Sequence, residues 1–465
     1  MTTYDLILRN CKAVDVSGTQ ECEIAVEGGK IVKLAKVIED GADRIIDCTG
    51  KLVIPGAIDG HVHFEMEYGP GIRTADDFRT GTESAAAGGV TTVIDFVTPV
   101  RGQPLSDAFE ERLRAAQGKV LVDFGLHVCV LEANAQRISE LRRLVEERGV
   151  ASVKVFTAYR SRGLMIDDGS LIRLSRELAA MDVLMLCHCE NEEMVARATE
   201  ELAFEGRTDV AHYESSRPDY AEAEAVNRIG FISAVTGVEF LVVHISSAAA
   251  LSSLRTLKRS GVRARGETCP HYLVFTKEVY RSERGPLYVM APPLRTALDK
   301  EALWRGISDG TIDVVGSDHA PYLAVHKFRS RDFREIPGGV QGTEVIVPLL
   351  FSEGVRRGLI GPERLVELTS YNPARIYGLS HRKGRIAVGF DADIVVIDPE
   401  KRVRLGRETL HSSLDHSIYE GVEVTGYPVL TVARGEVVAE DGQITGRPGR
   451  GEYLHRRRQK SDQLR

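Results

Sequence analysis

The segment Lys51-Leu-Val-Ile-Pro-Gly-Ala-Ile-Asp-Gly-His-Val-His63 decides the fold and marks the start of the candidate site. Its apolar residues predict a buried strand that ends in two histidines separated by one residue. Side chains two residues apart in a strand point to the same side, so His61 and His63 face one way. Imidazole is a common ligand of zinc-like metals. A His-x-His pair alone is a weak signal for a metal site, because such pairs also occur on surfaces and in cores.

Further residues of types that can bind metals or transfer protons lie near the C-terminal ends of other short apolar runs. They are Lys154, His188, His244 and Asp318. A barrel assembles one site from ligands at equivalent ends of successive strands. The residues therefore predict a single site. Imidazoles together with a carboxylate suit a hydrolytic metal that keeps open coordination positions.

The middle of the chain alternates apolar strand candidates with helical stretches. Strands are predicted over residues 54–58, 91–96, 122–130, 152–159, 183–189, 240–245, 262–267 and 312–317, and helices over 74–87, 108–117, 135–148, 169–181, 222–236, 248–260 and 300–308. This alternation predicts a (β/α)8 TIM-like barrel, whose active site lies at the C-terminal strand ends. Two further helices are expected at about 342–358 and 362–377.

Both ends of the chain have a different sequence pattern, in which short predicted strands are separated by glycine-rich turns. Strands are predicted over residues 5–10, 23–26, 30–34, 44–47, 52–54, 393–397, 429–433 and 436–439. We therefore expect a small β-sandwich domain built from residues 1–54 and 385–445. The hydrolase barrel would span residues 55–384, and residues 446–465 would form a C-terminal tail.

The bulk composition excludes several classes of protein. A net charge of −7 and a hydrophobic content of 43% argue against a nucleic-acid partner, an anionic membrane partner and disorder. The one basic block, His455 to Lys460, is expected to be a solvated, frayed tail. No apolar run is long enough to predict a membrane span, and the N-terminus lacks the pattern of a signal peptide.

The cysteines favour a reducing compartment. Their number, seven, is odd and their spacing fits no disulfide framework, so we expect a cytoplasmic protein. The triplet Cys187-His188-Cys189 looks like a metal cluster. However, strand alternation places both sulfur atoms on the face opposite His188, and the cysteines are interpreted as buried apolar residues.

Lys154 lies in the apolar strand Ala151-Ser-Val-Lys-Val-Phe-Thr-Ala-Tyr159 and has two interpretations. The residue pattern by itself favours a strand-end lysine whose ammonium reaches water, because burying a charged ammonium is costly. The alternative is a desolvated lysine with a lowered pKa. Its neutral amine could react with carbon dioxide to form an anionic carbamate, which could bridge two metals.

Asp318 also has two interpretations, since it follows the last predicted strand in Gly316-Ser-Asp-His-Ala-Pro321. It could cap a turn or a helix. Alternatively it could bind a metal and carry a proton, as a general base and acid does. We leave three other histidines outside the site: His127 and His319 are expected to be structural or supporting, and His271 could line the pocket without binding a metal.

In their order along the chain, many short motifs resemble the cyclic amidohydrolases, and most closely the dihydropyrimidinase and hydantoinase branch. The resemblance covers nearly the whole chain and is specific as a set. The motifs are Pro55–His63, Thr74–Phe78, Gly88–Phe96, Val153–Tyr159, His188–Asn191, Ser216–Pro218, Glu222–Glu224, His244–Ser247, Glu267–Pro270, Pro292–Arg295, Gly316–Pro321 and Asn372–Ala374.

The resemblance implies a function and a role for each site residue. Two divalent metal ions, expected to be Zn²⁺, would be bridged by an N6-carboxylated Lys154. His61, His63 and Asp318 would hold one ion, and His188 and His244 the other. Tyr159 would donate a hydrogen bond to the developing oxyanion, and Asp318 would pass a proton from water to the leaving ring nitrogen. The substrate would be a cyclic ureide, opened to an N-carbamoyl amino acid, and the assembly a homotetramer.

Two departures leave the substrate open. Ala291 and Gly338 replace residues that in many relatives contact the ureide ring, and they resemble allantoinases instead. Tyr159 and the Thr74–Phe78 loop resemble hydantoinases. A dihydroorotase is disfavoured because no arginine follows His63 to hold a substrate carboxylate. A non-catalytic scaffold related to dihydropyrimidinase is the remaining alternative, but such scaffolds have lost metal ligands that this chain retains.

Overall fold

The centre of the protein is a parallel barrel. The computed structural model describes residues 3–459. The barrel strands follow one another in chain order: Ala57–Val62, Val90–Val97, Asp123–Cys129, Ser152–Phe156, Leu184–His188, Phe240–Val242, Ala264–Thr268 and Val314–Val315. The ring closes where the amide of His63 donates to the carbonyl of His319 (2.9 Å). The predicted (β/α)8 barrel is confirmed.

Helices surround the barrel. They span Phe78–Ala87, Leu105–Ala116, Ala135–Arg148, Asp168–Met181, Glu192–Phe204, Tyr213–Ser216, Asp219–Thr236, Ala248–Arg259, Pro270–Val274, Ala297–Ser308, Ala324–Lys327, Ile346–Leu349, Pro362–Val366 and Asn372–Ile376. The helices predicted between strands are all present. Helix Glu192–Phe204 was missed, because Val195 and Leu202 alone are buried along it and its apolar pattern is weak. The helix expected over residues 362–377 is interrupted by a π-helical turn, Glu367–Tyr371.

Strand alternation separates two apolar layers. One fills the barrel interior and includes Ile94, Phe96, Leu186 and Val314. The other lies between the outer strand faces and the helices and includes Val153, Val155, Cys187 and Cys189. Lys154 and His188 alternate with these outward residues, so their side chains point into the barrel. The interpretation of the two cysteines as buried apolar residues is confirmed.

The terminal segments build a second, mainly antiparallel sheet. Its strands are Thr3–Asp15, Gly18–Glu27, Lys30–Ala35, Gly41–Asp47, Leu52–Pro55, Ile394–Arg404, Glu423–Ala433, Glu436–Glu440 and Gln443–Ile444. Leu52–Pro55 joins the two ends of the chain, since it pairs with both Thr3–Asp15 and Ile394–Arg404. The predicted β-rich unit made from both termini is therefore present. The domain boundaries at residues 54, 384 and 445 stay predictions.

The expected solvated tail is wrong for part of the basic block. Leu454 and Arg456 are buried against the N-terminal end of the barrel. Leu454 donates its amide to the carbonyl of Phe124 (2.8 Å), and Arg456 Nη1 donates to Ser152 Oγ (2.8 Å). Unpaired groups at the strand starts thus receive partners from this segment. Lys460 lies outside the described residues.

Within residues 3–459, none of the helices has the length and apolar character needed to cross a bilayer.

Candidate active site

One group of predicted ligands converges where the first and eighth barrel strands end. Asp318 Oδ1 lies 3.2 Å from Nε2 of His61 and 3.2 Å from Nε2 of His63. One ligand atom from each of the three residues lies within 4.8 Å of the others. This arrangement can hold a metal ion. The turn-cap interpretation of Asp318 is not needed, because its carboxylate faces the histidines.

A second pair of histidines adjoins this group. His188 Nδ1 lies 2.9 Å from His244 Nε2, and the ring centroids of His244 and His61 are 5.6 Å apart. The structure therefore brings all the predicted histidine ligands to one end of the barrel. Nδ1 of His244 is buried and has no hydrogen-bond partner in the part of the chain that the structure describes.

Lys154 lies in the barrel interior beside these ligands. Its side chain is 1% exposed, and Nζ is 5.3 Å from the ring centroids of both Phe96 and Phe156. The water-exposed interpretation favoured by the residue pattern is wrong, because the inward register of the strand leaves the ammonium no route to solvent. Burial lowers the pKa of Lys154, although the charges of Asp318 and Glu267 oppose this.

The electrostatics of the group fit a divalent cation. Burial lowers the pKa of His63 to about 4 and lowers the pKa values of His188 and His244 as well. These rings are therefore neutral near pH 7 and offer lone pairs. Burial alone would raise the pKa of Asp318, but His61 and the hydrogen bond that His63 donates outweigh it, so the pKa is lowered and the carboxylate stays anionic. Neutral imidazoles with an anionic carboxylate form a suitable ligand set.

Sequence reasoning missed the carboxylates that orient the ligands. His61 Nδ1 donates to Glu267 Oε1 (2.7 Å), and His188 Nε2 donates to Glu190 Oε2 (2.7 Å). Arg217 in turn donates from Nε to Glu190 Oε1 (2.9 Å). Such partners fix the tautomer and orientation of a metal-binding histidine. Both glutamates lie within recognised motifs, but spacing along the chain gives no sign of which ring they contact.

Backbone conformation is a second feature that the sequence did not predict. Tyr159, His244 and Asp318 have φ angles of 68°, 44° and 49°. Residues with a Cβ rarely adopt this left-handed conformation, which costs free energy and is typical of functional sites. All three lie just beyond strand ends, where the turn sets the direction of the side chain.

Tyr159 lies next to the second histidine pair. Its ring centroid is 4.7 Å from that of His188, and the guanidinium groups of Arg217 and Arg162 lie 5.3 and 5.4 Å from the centroid of the tyrosine ring. Burial raises the pKa of Tyr159 strongly, more than Arg217 lowers it. The hydroxyl is therefore protonated at neutral pH and able to donate a hydrogen bond.

Ala291 and Gly338 lie on two neighbouring loops. A Cβ built on Gly338 would lie 3.8 Å from Met290 Cα and 3.9 Å from Ala291 N. Lys327 joins the loops, because Nζ donates to the carbonyls of Val289 (2.7 Å) and Pro337 (2.9 Å). The contact of these loops with a substrate stays a prediction.

The histidines left outside the ligand set have separate surroundings. His127 contacts Ser152 Oγ (2.6 Å) and the carbonyl of Gly60 (2.9 Å), and His319 Nε2 donates to Asp76 Oδ2 (2.9 Å). Both are structural, as expected. His271 is fully buried, and neither of its ring nitrogens has a partner among residues 3–459.

Comparison with known proteins decides the family. The model of the amidohydrolase family matches residues 52–438. The chain belongs to the amidohydrolase family. A relative named D-hydantoinase from Geobacillus stearothermophilus is 36% identical, covering 97% of this chain and 96% of the relative. A D-phenylhydantoinase of Escherichia coli is 35% identical, over 97% of this chain and 98% of its own.

Solved structures agree with this assignment. The crystal structure of dihydropyrimidinase from Brevibacillus agri is 35% identical and superposes with a TM-score of 0.94, covering 97% of this chain and 98% of its own. The resemblance inferred from the motifs is confirmed at the level of family and fold. The names of these relatives do not favour the allantoinase alternative.

Proposed function

We propose that this amidohydrolase opens the ring amide of cyclic ureides, either dihydropyrimidines or 5-substituted hydantoins, to give N-carbamoyl amino acids. The observation that carries the proposal is the convergence of His61, His63, His188, His244 and Asp318 around the buried Lys154. The hydantoinase and dihydropyrimidinase names of the relatives support the substrate class.

The ligand set would hold two divalent ions, expected to be Zn²⁺. His61, His63 and Asp318 would hold one ion, and His188 and His244 the other. Lys154 would bridge them as a carbamate, formed when its neutral amine adds to carbon dioxide and releases one proton. Burial lowers the pKa of Lys154, which increases the fraction of neutral amine. When bound, the ions would supply Lewis-acid activation of water and of the ring carbonyl.

The chain's own residues would supply the proton transfers. Asp318 accepts a proton from the attacking water and returns it to the ring nitrogen as the carbon–nitrogen bond breaks. Tyr159 donates a hydrogen bond to the carbonyl oxygen as negative charge develops there. Its backbone conformation and the arginines over its ring hold the tyrosine ring beside that of His188 before the substrate binds. Water adds across one amide bond, so the product has a free carboxylate and a carbamoyl group.

The proposal includes a homotetramer in a reducing compartment such as the cytoplasm. The family resemblance supports the tetramer, and the buried, free state of all seven cysteines supports the compartment. Sedimentation at micromolar concentration would contradict the tetramer if it reported a monomer.

A panel of substrates tests the proposed function. We expect dihydrouracil, hydantoin and several 5-substituted hydantoins to be opened, because contacts with a substituent separate close analogues by only ~1–3 kcal/mol per methylene. We expect allantoin to be opened more slowly, because the relatives are named hydantoinases and dihydropyrimidinases. Tyr159→Phe removes only the hydroxyl and should lower kcat by about 10²-fold. If allantoin were opened a hundredfold faster than the other rings, the protein would be an allantoinase, as Ala291 and Gly338 suggest. Failure to open any ring would refute the proposal and favour the non-catalytic scaffold.

A further inference from the structure

A group of aromatic and cationic side chains adjoins Tyr159. The 3₁₀ turn Arg160–Arg162 follows Tyr159 directly. It places the guanidinium of Arg162 4.6 Å from the ring centroid of Tyr68 and 5.4 Å from that of Tyr159. Tyr68 comes from the hairpin formed by Glu67–Gly69 and Ile72–Arg73. The guanidinium thus links a loop after the fourth barrel strand to a loop after the first.

Arg162 differs from its neighbour in having no acidic partner. Arg160 is paired with Glu193, whereas Arg162 makes no ion pair with any residue from 3 to 459. Stacking on aromatic faces holds a guanidinium in place and leaves its N–H fork available. That fork is matched to the two oxygen atoms of a carboxylate.

Tyr322 provides a second, independent sign of a ligand. Its ring is fully buried 5.8 Å from that of Tyr68, and its hydroxyl has no hydrogen-bond partner in the described chain. A buried hydroxyl without a partner costs free energy, so native structures seldom leave one unexplained. Tyr322 follows Asp318 by only four residues and therefore belongs to the loop that carries the candidate proton carrier.

The charge of Arg162 also reaches Tyr322. Burial raises the pKa of Tyr322, the positive charge of Arg162 opposes this rise, and the negative charge of Asp318 adds to it. The hydroxyl remains a donor at neutral pH and lies within the field of the arginine. Two donors, one charged and one neutral, thus adjoin Tyr68 without an acceptor of their own.

We infer that the enzyme prefers cyclic ureides whose ring substituent ends in a carboxylate, with Arg162 pairing with that carboxylate and Tyr322 donating a hydrogen bond to it. This inference rests on the proposed ring-opening function and names the substituent that the pocket selects. No arginine follows His63 closely in the sequence, which reads His63-Phe-Glu-Met66. Arg162 takes the place of such an arginine and comes from another loop. We expect the carboxylate to be preferred and not required, because Arg162 would contact the substituent and not the ring amide.

The test compares two substrates of similar size that differ in the charge at the end of the substituent. They are 5-(2-carboxyethyl)hydantoin and its carboxamide, and the readout is the ratio of their kcat/KM values. A charge-assisted hydrogen bond predicts a ratio of about tenfold to a hundredfold in the wild type. Arg162→Met should bring the ratio close to one, Arg162→Lys should keep part of it, and Tyr322→Phe should reduce it several-fold.

Arg160→Met is the matched control, because it removes a positive charge two residues away that is already paired with Glu193. It should leave the ratio unchanged. If the ratio fell equally in Arg160→Met and Arg162→Met, the inference would be overturned, because the preference would then come from the long-range field of positive charge and not from contact with Arg162. A wild-type ratio near one, with both hydantoins opened, would overturn the inference but leave the proposed function standing. If neither hydantoin were opened, the proposed function itself would fail.

Discussion

Glu267 accepts a hydrogen bond from His61: Oε1 lies 2.7 Å from Nδ1, while Nε2 of the same ring faces Asp318 at 3.2 Å. The two partners are 206 residues apart in the chain. Glu267 thereby fixes which nitrogen carries the proton and leaves Nε2 with its lone pair. The other oxygen of Glu267 accepts from the hydroxyl of Tyr377 (3.2 Å), so both carboxylate oxygens are used.

We predict that Glu267→Gln weakens metal binding by about 10- to 100-fold, as the loss of a partner behind a ligand usually does. The amide is similar in size, so the fold should persist. Metal titration against a competing chelator would measure the change, with Glu201→Gln on an exposed helix face as the control. Unchanged affinity in Glu267→Gln would mean that the carboxylate of Glu267 does not support His61 as a metal ligand.

Asp318→Asn should retain the fold and lower kcat by at least ~10²-fold, because the amide can neither accept nor return the proton. The loss should be larger if the residue also binds a metal. Rates of ring opening at saturating substrate give the answer. If Asp318→Asn turned over close to the wild-type rate, Asp318 would have a structural role and not a role in proton transfer.

Lys327 connects the two loops that carry the predicted ring contacts. Lys327→Met keeps the apolar length of the side chain but leaves the carbonyl of Pro337 without its donor. We expect KM to rise about fivefold with little change in kcat, since a lost hydrogen bond of this kind is worth on the order of 1 kcal/mol. Lys300→Met, which removes a donor to Val274 elsewhere, is the control. A fall in unfolding free energy with an unchanged KM would limit Lys327 to a structural role.

Local patterns were sufficient to predict the barrel and the end of the barrel at which the candidate ligands lie. Apolar runs mark each strand, and the residue at the end of a run must lie at the same end of the barrel. Strand alternation was also sufficient to place His188 opposite Cys187 and Cys189. These properties depend on neighbours in the chain, which a single sequence contains.

Other features depend on contacts between distant segments and could not be predicted. The partners of His61 and His188, the unpaired state of Arg162 and the buried hydroxyl of Tyr322 become visible only when separate loops meet. The positive φ angles at His244 and Asp318 likewise follow from the surrounding structure, because neither residue type requires them. The burial of Lys154 was misjudged for a related reason: its strand register decides its exposure, and the apolar pattern on both faces conceals that register.

The metal content of the protein tests the central claim that these residues form one site around Lys154. The measurement is elemental analysis of the active wild type and of Lys154→Ala after equal exposure to Zn²⁺ and removal of free ions. The account predicts about two divalent ions per chain in the wild type, and loss of both metal and activity in the variant, with partial rescue by a short-chain carboxylic acid plus metal. A wild type that opens hydantoin rings without metal, or a Lys154→Ala variant that keeps its metal and full turnover, would contradict it.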